Sequence, residues 1–541
     1  MLRVALRTNT WSAVGFGALA AIYLAFLTDA YAALGSDREA ARHALEALAP
    51  AFSFILALPQ RLDTNAGYVS WFGYGQLVVV LGFWGVLAGT FASRGEEERG
   101  LTDLWLSTGT PRTRILAAHL AAFTVAVIVS LVAGATAAFV VAASAGEPIA
   151  LSALALQSAG VLGVTLVFFG LGLVAGQLMA TRRGALGIGA LVFVGLFLTN
   201  SFSRQWDALI GLRWISPFAY YDRIHGLVPA LGFDLVPLAV LAALAAIGCG
   251  AALWMFRSRD VGATLGRRGM AGAPRRTPST NPLLGSQVLA TLYDQRVGLG
   301  IWCLAIGFQG FSVTRMASPF LKALAEADPN DPASAQLRAV SGAEHGVGYE
   351  GFVGFQWFGG LAALALAAYA ITQVARWSGD DTEGRLEALL SAPVSRGRVV
   401  ADRALALALG LVALIGVSHA AIAVGSLAND TPLDAGRMAI ASLMLVPTAG
   451  VFAGLGAAAS AWRPRVTVAL LSAFALFSFM LPFTTPVIRG PDWLNHLSVF
   501  DLYGSPLADG FVAWRFGLLA GVTVVGFAVA SFAMLRRDVG R

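Results

Sequence analysis

The sequence contains the same charged segment twice, 284 residues apart. The first copy runs from Glu96 to Arg114 and the second from Asp380 to Arg398, and the two align without a gap. Each copy begins with acidic residues, continues with apolar residues at helical spacing and ends with a proline followed by arginines. A repeat of this length indicates an internal duplication, which constrains the architecture more than any local pattern does.

Each copy of this segment lies between long apolar stretches. Charged side chains at the centre of a bilayer cost roughly 2.5–3.5 kcal/mol each on insertion scales, so the segment cannot lie in hydrocarbon. We therefore predict two short helices outside the membrane, at about 95–108 and about 379–392, each flanked by membrane-spanning helices.

The composition agrees with a membrane protein, because 57% of the residues are hydrophobic and 13% are charged. Soluble domains carry about 25% charged residues. A helix needs about 20 apolar residues to cross the hydrocarbon core. Twelve stretches satisfy this length: 10–34, 69–93, 114–144, 149–180, 185–203, 230–256, 297–318, 351–376, 398–428, 435–461, 466–486 and 511–535. The predicted fold class is an all-α polytopic membrane protein with twelve transmembrane helices.

Further landmarks recur in the same order in both halves of the chain. Thr181-Arg182-Arg183 corresponds to Trp462-Arg463-Pro464-Arg465, and Arg259-Asp260-Val261-Gly262 corresponds to Arg537-Asp538-Val539-Gly540. We predict two tandem six-helix units, 1–257 and 285–541, joined by a basic linker at 258–284. Because six is an even number, both units have the same orientation in the membrane.

The basic residues predict the orientation of the chain. With the N-terminus in the cytoplasm, the inner segments hold 25 arginines and the outer segments hold 10 basic residues. Both termini and both copies of the charged segment are then cytoplasmic. The protein is expected in a bacterial cell (inner) membrane.

The sequence provides no sign of a catalytic or metal-binding site. Its one lysine, Lys322, does not belong to a phosphate-binding P-loop, which requires Gly-x-x-x-x-Gly-Lys-Ser/Thr. Its two cysteines and six histidines have no metal-ligand spacing. We expect no ATPase activity, cofactor or metal ion in this chain.

The repeated segments are suited to docking a partner that is present in two copies. Three apolar residues recur at positions i, i+3 and i+4 in each segment and form a stripe on one helical face. These are Leu101, Leu104 and Trp105 in the first copy, and Leu386, Leu389 and Leu390 in the second. An apolar stripe with a charged rim fits a groove on another protein. The alternative is an ordinary helix at the membrane interface.

The segment from Asp380 to Arg396 resembles the cytoplasmic coupling-helix region of ABC-2 type (type V) exporter permeases. The first copy departs from that pattern, because Gly109-Thr110-Pro111 replaces the expected Pro-Val-Ser. A single chain with two such units and no ATPase looks like the fused permeases of polyketide-antibiotic (tetronasin-type) and multidrug exporters.

This resemblance implies that two copies of a separate ATP-binding subunit dock from the cytoplasm and carry the ATP and Mg²⁺. Their binding would switch the permease between inward- and outward-facing states. The residues implied in docking are Glu97, Glu98, Gly100, Asp103, Leu104, Trp105, Leu106 and Arg112 in the first copy, and Asp381, Glu383, Gly384, Arg385, Leu386, Glu387, Leu389, Leu390 and Arg396 in the second. The implied activity is export of hydrophobic, drug-like compounds and hence antibiotic resistance, with the lipid bilayer as surroundings and no nucleic acid as partner.

The resemblance also places the substrate path along the second and fifth helices of each unit. The candidates are Phe83, Trp84, Phe193, Phe197, Phe355, Gln356, Trp357, Phe358, Phe474 and Phe477. Core packing is the alternative for each of them. His419 is a further polar residue at depth, where it would be either a proton carrier or a hydrogen-bonded core residue.

Two other functional classes compete with this interpretation. A proton-coupled secondary multidrug transporter would need carboxylates near the middle of the membrane, but Asp29 and Asp234 lie toward the outer ends of their spans. A membrane-embedded enzyme would need clustered acids or histidines in a cavity, which the sequence does not suggest.

Overall fold

The computed structural model describes residues 1–32, 42, 46, 56–204, 206–232, 234–263, 285–326, 348–382, 384–487 and 491–536. All regular secondary structure in these ranges is helical. The helices from Leu2 to Ser258 belong to one compact unit and those from Gln287 to Arg536 to a second. Most of the predicted linker 258–284, and the predicted docking residue Glu383, fall outside the described residues.

Eleven helices among the described residues are long and apolar enough to cross a membrane. This confirms the predicted all-α polytopic membrane fold. At the place of the predicted span 466–486 lies the helix Pro464–Val487, whose apolar part, Val466–Phe479, is shorter than the others. Twelve transmembrane helices therefore stay a prediction.

In its described residues, the first unit contains six long and two short α-helices, besides the 3-10 helices Asp207–Ile215 and Pro229–Leu231. They are α1 (Leu2–Ala32), α2 (Asn65–Glu98), the short α3 (Leu101–Ser107), α4 (Arg112–Ser144), α5 (Leu151–Leu178), α6 (Arg182–Ser203), the short α7 (Pro217–Tyr221) and α8 (Leu235–Ser258). Helix α1 packs along α4, while α5 is central and packs against both α2 and α8.

Glycines allow α2 and α5 to approach each other closely. A Cβ atom at Gly85 would lie 2.4 Å from the backbone oxygen of Thr165, and one at Gly89 would lie 2.3 Å from that of Phe169. Small residues at helix interfaces allow backbones to touch within membranes. The core of the unit is built around this contact and includes Leu81, Phe168 and many other buried side chains.

The second unit has a corresponding set of helices. They are α9 (Gln287–Glu326), α10 (Tyr349–Asp381), the short α11 (Arg385–Leu390), α12 (Arg396–Leu427), α13 (Ala435–Ser460), α14 (Pro464–Val487), the short α15 (Val499–Tyr503) and α16 (Pro506–Asp509), and α17 (Ala513–Arg536). Here α9 packs along α12, and α13 packs against α10 and α17. Glycines again mediate a close contact, because Gly450 and Gly454 lie against Thr523 of α17.

Several local features occur at the positions that the repeat matches. Ser216 caps α7 and Ser498 caps α15 in the same way, each accepting a hydrogen bond from the backbone N–H of the phenylalanine two residues later. The hydroxyl of Tyr221 accepts a hydrogen bond from Gln157, and that of Tyr503 donates one to the backbone oxygen of Ala441. Residues 157 and 441 are themselves 284 positions apart. These details agree with the predicted repeat, although a common fold of the two units stays a prediction.

Candidate functional site

The first repeated segment forms a turn and a short helix at the end of α2. Gly100 begins α3 with φ of 70°, in the left-handed region that glycine adopts without steric cost. Gly109, with φ of 77°, and Pro111 follow the helix and separate it from α4. The second segment has the same construction, because Gly384 begins α11 with φ of 71°. The short helices α3 and α11 lie within the segments 95–108 and 379–392, and a glycine at the start and a proline after the end delimit each of them.

Helix α3 presents apolar side chains on its free surface. Leu104 is 59% exposed and Leu101 is 37% exposed, with the exposed Asp103 between them. Trp105 and Leu106 are half-buried. Thr102 is buried and lies on the side of the helix that faces the rest of the unit. Large apolar residues that are this exposed outside a membrane span are candidates for an interaction surface.

Helix α11 presents a different surface. Leu386 is 3% exposed and lines a small, partly open cavity with Trp377 and Val400, so it holds α11 on its own unit and is not available to a partner in this conformation. Arg385 and Glu387 are exposed, and Leu389 and Leu390 are half-buried. The predicted stripe in α11 therefore faces the protein at Leu386.

Several other predicted docking residues bind within their own unit. Glu97 is 3% exposed at its side chain and forms ion pairs with Arg94 and Arg259, so it is an internal residue. Glu98 has an exposed position, although its carboxylate accepts a hydrogen bond from the backbone N–H of Arg182 at 2.7 Å. In the second unit, Asp381 is half-buried beside the same cavity as Leu386.

The two predicted docking arginines hold the last helix of each unit. Arg112 donates hydrogen bonds to the backbone oxygens of Phe256 and Arg259, and Arg396 donates one to that of Met534 at 3.1 Å. The last carbonyl groups of a helix lack partners within the helix and attract cations. Because Arg112 is the first residue of α4 and Arg396 the first residue of α12, they fasten the starts of the helices that follow α3 and α11 to the ends of α8 and α17.

The structure separates the predicted substrate-path residues into two groups. Trp84, Phe193, Trp357 and Phe358 are each at most 5% exposed and belong to the core of their own unit. Trp84 stacks on Phe16 at 4.3 Å between ring centroids, and the indole N–H of Trp357 donates to Ser418 at 2.8 Å. Packing therefore accounts for these four side chains. The more accessible group is Phe83, Phe197, Phe355, Gln356 and Phe474, all half-buried, and Phe477, which is exposed.

Other polar residues have partners inside the units. The ring Nδ1 of the half-buried His419 lies 3.0 Å from the hydroxyl of Ser442. Within the described part of the chain, no group of three or more histidine, cysteine or acidic residues is arranged to hold a metal ion.

Sequence reasoning did not identify the partners of the acidic segment in the first unit. These are Arg94, His119 and Arg259, all of them buried. A charged residue inside or beside an otherwise apolar span, such as Arg94 in α2, was the available signal, because such residues occur mainly where a partner is present.

A helical chain with this number of apolar spans is an integral membrane protein that crosses the bilayer several times. It belongs to the family described as multidrug efflux system permease Rv1217c, C-terminal domain, which matches residues 1–257 and 285–536. Membership makes the chain a multidrug efflux permease, a transport protein rather than an enzyme. No curated protein sequence matches it.

Proposed function

We propose that the chain is the membrane subunit of an ATP-driven ABC exporter that moves amphipathic or hydrophobic compounds out of the cell. The family match supports export of drugs. The observation that carries the ATP-driven part is the free surface of α3, where Leu104 is 59% exposed outside the apolar spans. A groove on a separate ATP-binding subunit would cover this surface.

The partner is then a pair of ATP-binding subunits that carry ATP and Mg²⁺ and dock on α3 and α11. The residues that remain accessible for docking are Leu101, Asp103, Leu104, Trp105 and Leu106 in the first unit, and Arg385, Glu387, Leu389 and Leu390 in the second. Buried apolar residues at the centre of an interface contribute most of the affinity, and a charged rim sets orientation.

The contacts within each unit support the proposal that its docking helix and the end of its last helix lie on the same side of the membrane. Arg112 joins the start of α4 to the end of α8, and Arg396 joins the start of α12 to the end of α17. With the predicted excess of arginine on the inner side, this side is the cytoplasm. Both termini are then cytoplasmic, and the twelve helices form two units of the same orientation in a bacterial inner membrane.

The accessible aromatic residues are the best candidates for cargo contact. Phe83, Phe197, Phe355, Phe474 and Phe477, together with Gln356, are at least partly exposed, and apolar and aromatic linings suit hydrophobic ligands. Alternating access then requires that ATP binding favours one conformation, since a ligand shifts an equilibrium only by its different affinity for the two states.

Reconstitution tests the proposed function. Vesicles that contain the chain together with the ATP-binding subunit should transport a hydrophobic dye when ATP is supplied, and the dye should stimulate ATP hydrolysis. A matched sample, in which the P-loop lysine of the ATP-binding subunit is replaced, should transport none. Dye transport by the chain alone, driven by a proton gradient without ATP, would contradict the proposal and favour a secondary transporter.

A further inference from the structure

Three consecutive glutamates at the end of α2 each contact a different part of the first unit. The first of them, Glu96, lies 2.9 Å from the ring Nε2 of His119, and both side chains are at most 7% exposed. His119 belongs to α4, the helix that follows α3 in the chain. Glu96 therefore joins the segment immediately before α3 to the helix immediately after it.

The second glutamate joins α2 to the ends of α5 and α8. Glu97 accepts a hydrogen bond from Arg94 at 2.8 Å and pairs with Arg259, which follows the last residue of α8. Arg94 also donates to the backbone oxygen of Gly176 at 3.2 Å, and Arg259 donates to the side-chain oxygen of Gln177 at 2.7 Å. Gly176 and Gln177 lie in the last turn of α5.

The third glutamate joins the segment to α6. The carboxylate of Glu98 accepts the backbone N–H of Arg182, the first residue of α6, at 2.7 Å. A negative charge at a helix N-terminus is favourable because the first N–H groups have no partner within the helix. The three glutamates thus fasten the base of α3 to α4, α5, α6 and α8.

The charges at the centre of this arrangement are compensated and enclosed. Arg94, Glu97 and Arg259 have side chains that are at most 3% exposed. The ion pairs of Glu97 with both arginines compensate these buried charges. Removing one partner of a buried ion pair is strongly destabilising, because the other charge remains buried without compensation. The base of α3 should therefore move together with the ends of the four helices.

The second unit has a less enclosed counterpart. Asp380, which aligns with Glu96, pairs with Arg403 at 3.4 Å and with Arg385 at 3.2 Å, and its side chain is 33% exposed. Arg403 aligns with His119, so the contact between the same two helices is kept. The position of Glu98 is taken by threonine, Thr382, which carries no charge for the N-terminus of α14.

We propose that Glu96, Glu97 and Glu98 are positioning residues that transmit the movement of α3 to α4, α5, α6 and α8. Because the aligned Asp380 is more exposed than Glu96, and threonine replaces Glu98 in the second unit, the first unit carries most of the coupling between ATP hydrolysis and transport. This inference rests on the proposed function, since it assumes that an ATP-binding subunit moves α3. The two docking helices then contribute unequally to coupling, even when an ATP-binding subunit is bound to each of them.

The test measures dye transported per ATP hydrolysed, in vesicles that contain the full chain and the ATP-binding subunit. We expect Glu96→Gln and Glu98→Ala to lower this ratio by about five- to tenfold, the size of effect that residues linking two sites can have. The matched control Asp380→Asn, at the position aligned with Glu96, should lower it by less than about twofold. The Kd of the ATP-binding subunit should not change for Glu96→Gln or Asp380→Asn, because neither residue is implied in docking. The ratio for Glu98→Ala is measured at a saturating concentration of the subunit, because Glu98 is exposed and implied in docking.

Several outcomes would overturn the inference. Unchanged ratios in Glu96→Gln and Glu98→Ala would do so, and so would an equal loss in Asp380→Asn. Glu98→Ala guards against misfolding of Glu96→Gln, since Glu98 is exposed whereas Glu96 is buried. The sample with the unmodified chain tests the proposed function separately. If that sample transported no dye with ATP, the proposed function itself would be wrong.

Discussion

Replacing Leu104 with aspartate is expected to weaken binding of the ATP-binding subunit by at least about 30-fold, which corresponds to the 2 kcal/mol or more of an interface hot spot. Leu104 is 59% exposed in the isolated chain, so the change should cost little in folding. In a docked complex, the same position would place a carboxylate in an apolar groove without a partner. The measurement is the Kd of the detergent-solubilised chain for the immobilised subunit.

A control for this variant is Leu58→Asp. Leu58 is 58% exposed, almost the same as Leu104, but lies before α2, at the opposite end of that helix from the first repeated segment. We expect its Kd to equal that of the unmodified chain. Equal Kd values for Leu104→Asp and the unmodified chain would show that α3 does not contact the subunit.

The second large effect is expected for Gly89→Leu. A Cβ atom at this position would lie 2.3 Å from the backbone oxygen of Phe169 and 2.8 Å from the backbone nitrogen of Leu173. Both are backbone atoms of α5, so the clash cannot be relieved by a side-chain rotation, and α2 must separate from α5. We expect a loss of roughly 3 kcal/mol or more in stability, seen as a lower melting temperature in detergent.

Gly195→Leu is the matched control for the glycine variant. Gly195 is also in a membrane-spanning helix, α6, but a Cβ atom there would have no neighbour within 4 Å. Its melting temperature should stay close to that of the unmodified chain. If both variants melted alike, the close contact between α2 and α5 would not be a determinant of stability.

The location of the short helices could be predicted from the sequence, but the direction of their side chains could not. Glycine at 100 and 384 and proline after each segment limit where a helix can form, and these effects are local. Whether Leu386 points outward or inward depends on the helices that pack beside α11, which no local pattern contains. The same holds for Glu97, whose partner Arg259 is 162 residues away.

The two docking surfaces also differ in a way that the similarity of the repeated segments did not predict. The gapless alignment pairs the exposed Leu101 and Leu104 with Arg385 and Ala388. The stripes chosen by apolar spacing were therefore not equivalent positions, since Leu386 aligns with the buried Thr102. Identical spacing predicts an apolar face in each helix but does not determine which face the rest of the unit covers.

Aromatic residues in the spans were equally ambiguous. Trp84 and Phe83 are neighbours in the sequence, yet the first is in the core and the second is half-buried. An apolar sequence with period 3.6 provides little contrast between faces when lipid and protein interior are both apolar. Only the packing of α2 against its neighbours separates a core residue from one that is able to contact a ligand.

Cross-linking from α3 tests the central proposal, that a separate ATP-binding subunit docks there, most directly. The chain has two cysteines, Cys249 and Cys303, which lie in α8 and α9, so replacing both with alanine and introducing Leu104→Cys places the single thiol on the docking surface. With a short cysteine-to-amine cross-linker, we expect a covalent adduct between the chain and the ATP-binding subunit, and none from Leu58→Cys in the same background. Absence of the adduct in a complex that still transports dye with ATP would contradict docking on α3.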